Sequence, residues 1–161
     1  MIAVRGLAVL AAFAMIGLAP VASAVEVGDE APGFSLPRLT GAGTLGSDSA
    51  RGKRAQLVVF WSAHCGSCRL EAPYVQRLAR QLKGKPVELV AIHVDDTADS
   101  ARRFLKQRGL SYPVAFDATG ETATAYDIPG TPAVYLVDAR GIVRYHSHVL
   151  PTVKQIEGAL K

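Results

Sequence analysis

Residues 55–73 read AQLVVFWSAHCGSCRLEAP and hold both cysteines of the chain, Cys65 and Cys68. Ala55 to Trp61 is an apolar run rich in β-formers, which suits a strand buried on both faces. Beyond the cysteines, Leu70, Tyr74, Leu78 and Leu82 recur at helical spacing, and Gly84 and Pro86 end that helix. The pair therefore stands at a strand-to-helix junction. There Cys65 lies at the first turn, where unpaired N–H groups and the helix dipole favour an anion. That lowers its pKa and makes it the nucleophile. Cys68, one turn on and on the same face, is near enough to close a disulfide and to act second on the sulfur of Cys65.

Other uses of two thiols fit less well. A structural disulfide gains by closing a long loop, and this loop is short. Two thiolates supply half of a closed zinc shell, and the chain has no further cysteine. Copper(I) also favours thiolates, so a soft-metal chaperone using Cys65 and Cys68, with His93 as a further ligand, is the rival reading. A thiol peroxidase would want proline where Val58 stands, although Ser62 fits its other position.

Along the rest of the chain, strands alternate with helices, which predicts a layered α/β domain. Phe34–Leu36 reads as a short strand and Gly41–Gly46 as turn-rich. Val87–Val94 reads as a second buried strand, Ala98–Arg108 as a helix stopped by Gly109, Val114–Phe116 as a short strand and Glu121–Tyr126 as a short helix. Ala133–Val137 and Ile142–His148 form a hairpin around Asp138-Ala139-Arg140-Gly141, and Thr152–Leu160 closes as a helix.

The ends and the charge constrain location and partners. Arg5, the apolar run Gly6–Ala19, Pro20 and Ala22-Ser23-Ala24 make a secretory signal over residues 1–24, leaving residues 25–161 as one domain. The alternative is a retained anchor, since Gly6 to Ser23 approaches the length of a bilayer span. Either way the domain is delivered across a membrane, to the periplasm. The net charge of +4 is spread over helical solvent faces, Arg77, Arg80, Lys83 and Lys85 on one and Arg102, Arg103, Lys106 and Arg108 on another. That is no nucleic-acid stripe.

FWSAHCGSCRLEAP resembles the active-site segment of the thioredoxin superfamily, and most of all its extracytoplasmic TlpA/ResA-like branch. VGDEAPGF near the start, Glu71 after CGSC, Pro73, AIHVDD, and IPGTPAVYLVD extend the resemblance over nearly the whole domain. It implies a thioredoxin-like fold with a central mixed sheet flanked by helices and a βα-type insertion at Ala98–Phe116. It implies a thiol–disulfide oxidoreductase without cofactor or metal. Its partners would be oxidised protein clients, such as an apocytochrome c, and a membrane thiol-electron transporter.

The resemblance also weighs single residues. Spacing alone makes Glu71 an ordinary surface glutamate. The branch, however, carries a glutamate at this offset, where it would exchange a proton with Cys68. Minimal thioredoxins use an aspartate at the position of Val59. Thr131-Pro132 matches a cis-proline segment whose backbone pairs with an extended client, and Trp61 packs beside the site. His64 replaces an aromatic residue; it either lowers the Cys65 pKa as a cation or only alters the client surface. Gly66-Ser67 departs from the proline common in the branch and tunes the potential. His93 reads as a core or rim histidine, and His146 and His148 as solvent-exposed.

Overall fold

The structure, a computed structural model, describes residues 24–95 and 97–161. Apart from Ala24, the leader expected over residues 1–24 lies outside the described residues.

A short hairpin opens the fold, β1 (Ser35–Pro37) against β2 (Thr44–Gly46), followed by a single 3-10 turn at Ser47–Ser49. The segment expected only to turn thus returns to pair with β1. Then come β3 (Ala55–Trp61), α1 (Gly66–Leu82), β4 (Val87–His93), α2 (Ala98–Arg108), β5 (Val114–Phe116), α3 (Glu121–Ala125), β6 (Ala133–Val137), β7 (Val143–Ser147) and α4 (Val153–Ala159). The main sheet has the order β5-β4-β3-β6-β7. β3 pairs parallel with β4 and antiparallel with β6, and β6 pairs antiparallel with β7, so the sheet is mixed. The expected insertion is α2 and β5, which add the edge strand beside β4.

Period-2 alternation splits the central strand between two cores. Leu57, Val59 and Trp61 face the layer that holds α1, α2 and α4. Val58 and Phe60 face the opposite layer, where Phe60, Tyr126 and Tyr135 pack ring against ring. Every residue of β3 is buried, including Gln56, whose side-chain amide donates to the Gly46 carbonyl at 3.3 Å.

Helix α1 buries Cys68, Ala72, Val75, Leu78 and Leu82. Each of the larger apolar side chains contributes about 1.5–3 kcal/mol by leaving water. This corrects the phase expected from sequence. Leu78 and Leu82 do face the core, whereas Leu70 and Tyr74 are 77% and 57% exposed. The sheet-facing stripe of the first turns is made of small residues, which let the helix lie close over the strands. Pro73 stands inside the helix without ending it. Elsewhere the local signals hold: Gly109 closes α2 in the left-handed conformation, and Thr152 with Gln155 makes a reciprocal capping box on α4.

One geometric fact positions the site. β3 ends at Trp61, and antiparallel pairing sets Phe60 opposite Ala133. The C-terminal end of β3, the start of β6 and the end of β7 therefore meet at one edge of the sheet.

Candidate active site

The loop from β3 to α1 is tied down before the helix begins. Cys65 N–H donates to the Ser62 carbonyl (3.2 Å), and His64 N–H donates to Ser62 Oγ (3.2 Å). Ser62 is itself buried. Cys65 is then the N-cap of α1, with extended backbone, and its Sγ accepts the Cys68 N–H at 3.3 Å. Sulfur thus takes the place of the oxygen that usually satisfies an orphan N–H at this position. Two further contacts surround it: Ser67 Oγ at 3.2 Å and the Thr131 carbonyl at 3.3 Å.

The two thiols, both free, are held in opposite states. Partial burial alone would raise the Cys65 pKa, but its hydrogen bonding with Cys68, Ser67 and Thr131 outweighs burial and brings the thiol down to about 7. His64, next to Cys65 in sequence, is exposed. Cys68 is 4% exposed. Burial, and then its hydrogen bond to Cys65, push its thiol up to about 12. At neutral pH the outer sulfur is half ionised and the inner one keeps its proton.

Beneath Cys68 lies a cavity of about 10 Å³, lined among others by Val59, Trp61, Glu71, Tyr112 and Pro132. It is near the lower limit of what one water needs. Val59 presents only methyl groups there, and Glu71 is the acidic residue among those that line it. Partial burial raises the Glu71 pKa. Trp61, 4% exposed, offers its ring to the cavity rather than to the surface. Sequence reasoning missed Tyr112. It is 5% exposed, and its loop is clamped to α1 by the Ser111 N–H donating to Gln76 Oε1 at 2.7 Å. No periodic pattern marks it, since it lies between elements. Glu71 also borders a second space, a groove of about 630 Å³ between α1 and the segment leading into α4.

The Thr131–Pro132 peptide bond is cis. Pro132 is buried and Thr131 half-buried, with its carbonyl toward Cys65. His93 is fully buried, between the rings of Trp61 and Phe116, with Nδ1 3.3 Å from the Trp61 carbonyl. The expectation for His146 needs correction. Its ring lies flat on Tyr135 (centroids 4.3 Å apart) and its side chain is only 15% exposed. His148 does lie in solvent, yet Nδ1 meets the Pro132 carbonyl at 2.7 Å. Among the described residues no three His, Cys, Asp or Glu side chains group as a metal site.

A strand leading into a helix capped by the first cysteine of a CxxC pair, set against a cis X–Pro on the neighbouring strand, defines a thioredoxin-like thiol–disulfide oxidoreductase. The comparisons agree. The chain belongs to the AhpC/TSA family, whose profile matches residues 27–146. It is 35% identical over 137 residues to the thiol-disulfide oxidoreductase ResA of Bacillus thuringiensis, covering 85% of this chain and 78% of that protein. ResA of Oceanobacillus iheyensis is 32% identical, with 84% and 71% covered. Among solved structures, a putative thiol:disulfide interchange protein DsbE from Chlorobium tepidum superposes with a TM-score of 0.75 at 30% identity, covering 86% of this chain and all (100%) of that one.

Proposed function

We propose that the protein is a reductase of disulfides in exported proteins, working through Cys65 and Cys68. The observation that carries this reading is the placing of the two sulfurs: Cys65 Sγ caps the N-terminus of α1 and accepts the Cys68 N–H at 3.3 Å, while Cys68 is buried behind it. An ionised sulfur attacks first; a buried protonated one waits.

The Cys65 thiolate attacks one sulfur of a client disulfide. That S–S bond breaks, the other client sulfur leaves as a thiolate and takes a proton from water, and a mixed disulfide joins Cys65 to the client. Cys68 then gives its proton to the Glu71 carboxylate and attacks the Cys65 sulfur. The client sulfur held in the mixed disulfide leaves and takes the proton from Glu71, so the client gains two electrons as a dithiol and Cys65–Cys68 becomes a disulfide. A dithiol donor must restore the pair, and a membrane thiol-electron transporter is the partner of that chemistry.

The Thr131 backbone offers the edge on which an extended client segment pairs. His64 lies exposed beside the nucleophile and contributes to the client surface. The leader signature around Arg5, Gly6–Ala19 and Ala22-Ser23-Ala24 supports a periplasmic location. An apocytochrome c, with a cysteine pair that must be reduced before haem attachment, fits as a client.

The test is reduction of a model protein disulfide by the purified protein, with dithiothreitol as donor and a chelator present. Cys65→Ser is expected to abolish turnover. A protein that purifies with stoichiometric copper and shows no such turnover would favour the soft-metal reading instead.

A further inference from the structure

The end of β7 does not close as an antiparallel ladder should. β6 and β7 pair Tyr135 with His146 and Val134 with Ser147. Beyond that the ladder stops. The Val149 N–H turns back to Ser147 Oγ at 3.1 Å, and the Pro132 carbonyl is taken by a side chain, His148 Nδ1, at 2.7 Å. A carbonyl only accepts, so the proton of this bond sits on Nδ1. Both the neutral ring protonated there and the imidazolium make the bond.

Its location gives the bond a role. On one side, Pro132 follows Thr131, whose carbonyl stands 3.3 Å from Cys65 Sγ. On the other, His148 leads directly into Val149, which is 63% exposed. Val149 begins the wall of the groove that Glu71, Tyr74 and Leu78 of α1 border from the other side. His148 thus ties the loop facing the nucleophile to the loop bordering the groove. The ring is exposed, so it is not there to fill the core.

We propose that His148 is a positioning residue for client capture: its bond to the Pro132 carbonyl holds the Thr131–Pro132 edge where an extended peptide disulfide pairs with it. The proposal rests on the reading of that edge as the client's pairing strand. Without the bond, the carbonyl turns to water and the fold survives, but the edge loses its fixed height. Losing one positioning hydrogen bond corresponds to roughly a three- to tenfold weaker capture.

The experiment compares His148→Ala with His148→Asn, which puts an amide N–H on the same branch as Nδ1. With dithiothreitol regenerating the dithiol, KM and kcat are measured on a disulfide-bonded peptide. The rates with hydroxyethyl disulfide, and of Cys65 alkylation by iodoacetamide, are followed in parallel. For His148→Ala, KM for the peptide is expected to rise about three- to tenfold while kcat and the two small-molecule rates hold; His148→Asn should return to within about twofold of wild type. An unchanged KM in His148→Ala overturns the proposal. So does a His148→Asn no better than His148→Ala, or small-molecule rates that fall in step with the peptide. If the wild type shows no preference for the peptide over hydroxyethyl disulfide, the pairing edge itself is refuted, and the role of His148 with it.

Discussion

Ser67→Ala tests how the Cys65 thiolate is stabilised. Ser67 Oγ lies 3.2 Å from Cys65 Sγ, and either atom has the geometry to donate. A donating hydroxyl favours the thiolate, whereas an accepting one favours the thiol. Hydrogen bonds to charged groups contribute about 1.5–3 kcal/mol, and exposure of this pair argues for the lower limit, about one pK unit. The midpoint should therefore move from about 7 to about 8. At pH 7 the thiolate fraction falls from about one half to about one tenth, and the greater nucleophilicity of a more basic sulfur restores about threefold. The net expectation is alkylation about twofold slower at pH 7 but about threefold faster above about pH 9.5, with the two curves crossing between. The assay is the pH dependence of iodoacetamide alkylation of Cys65. Superimposed curves would show that the hydroxyl does not donate, and a midpoint shifted downward would show that it accepts from the thiol. Linkage fixes the accompanying sign. Because the folded thiol is depressed, its stabilising contribution is present above the ordinary thiol pKa and lost as pH falls through about 7.

Other expectations follow from the same geometry. Cys68→Ser should trap clients as mixed disulfides on Cys65, seen as adducts on non-reducing gels that dithiothreitol dissolves; absence of adducts would contradict the order of attack. Glu71→Gln should leave Cys65 alkylation unchanged but slow release from the mixed disulfide by about a hundredfold, since general-base removal costs roughly 10²–10⁴. In the wild type that release should fall as pH drops below the raised Glu71 pKa, because only the carboxylate accepts the Cys68 proton. In Glu71→Gln this acid limb should vanish, and its persistence would assign the proton to another group. Leu78→Ala, which empties a buried position of α1, should cost about 2–5 kcal/mol in denaturant unfolding.

Where the sequence was legible, and where not, has physical reasons. β3 could be read from its apolar run because it is buried on both faces, and α2 because Gly109 can take the left-handed cap. The cysteine pair was placed correctly because a strand-to-helix junction sets the N-terminus within a residue. The core face of α1 was misread at Leu70 and Tyr74. Large apolar residues at helical spacing outshone Ala72, yet only a small residue fits where α1 crosses the sheet closely, and Leu70 and Tyr74 are left in solvent, Tyr74 on the wall of the groove. His146 on β7 was misread; the exposure of His148, just beyond β7, was legible but its contact was not. Whether such a ring meets Tyr135 or a carbonyl depends on the register between β6 and β7, which shifts at Leu136/Val137. No property of the residues themselves carries that information. Tyr112 escaped because it reaches the cavity from a loop whose path is set by the Gln76 clamp, a contact between residues far apart in sequence.

Everything in the functional reading depends on Cys65 and Cys68 exchanging two electrons reversibly. The direct measurement is a redox titration in dithiothreitol or glutathione buffers, read through the emission of Trp61, the one tryptophan of the chain, which shares a cavity wall with Cys68. The account predicts a single reversible transition with a two-electron slope, about 30 mV per decade, at a potential nearer thioredoxin's (about −270 mV) than DsbA's (about −120 mV). A pair that never closes, or a midpoint near DsbA's, would contradict it.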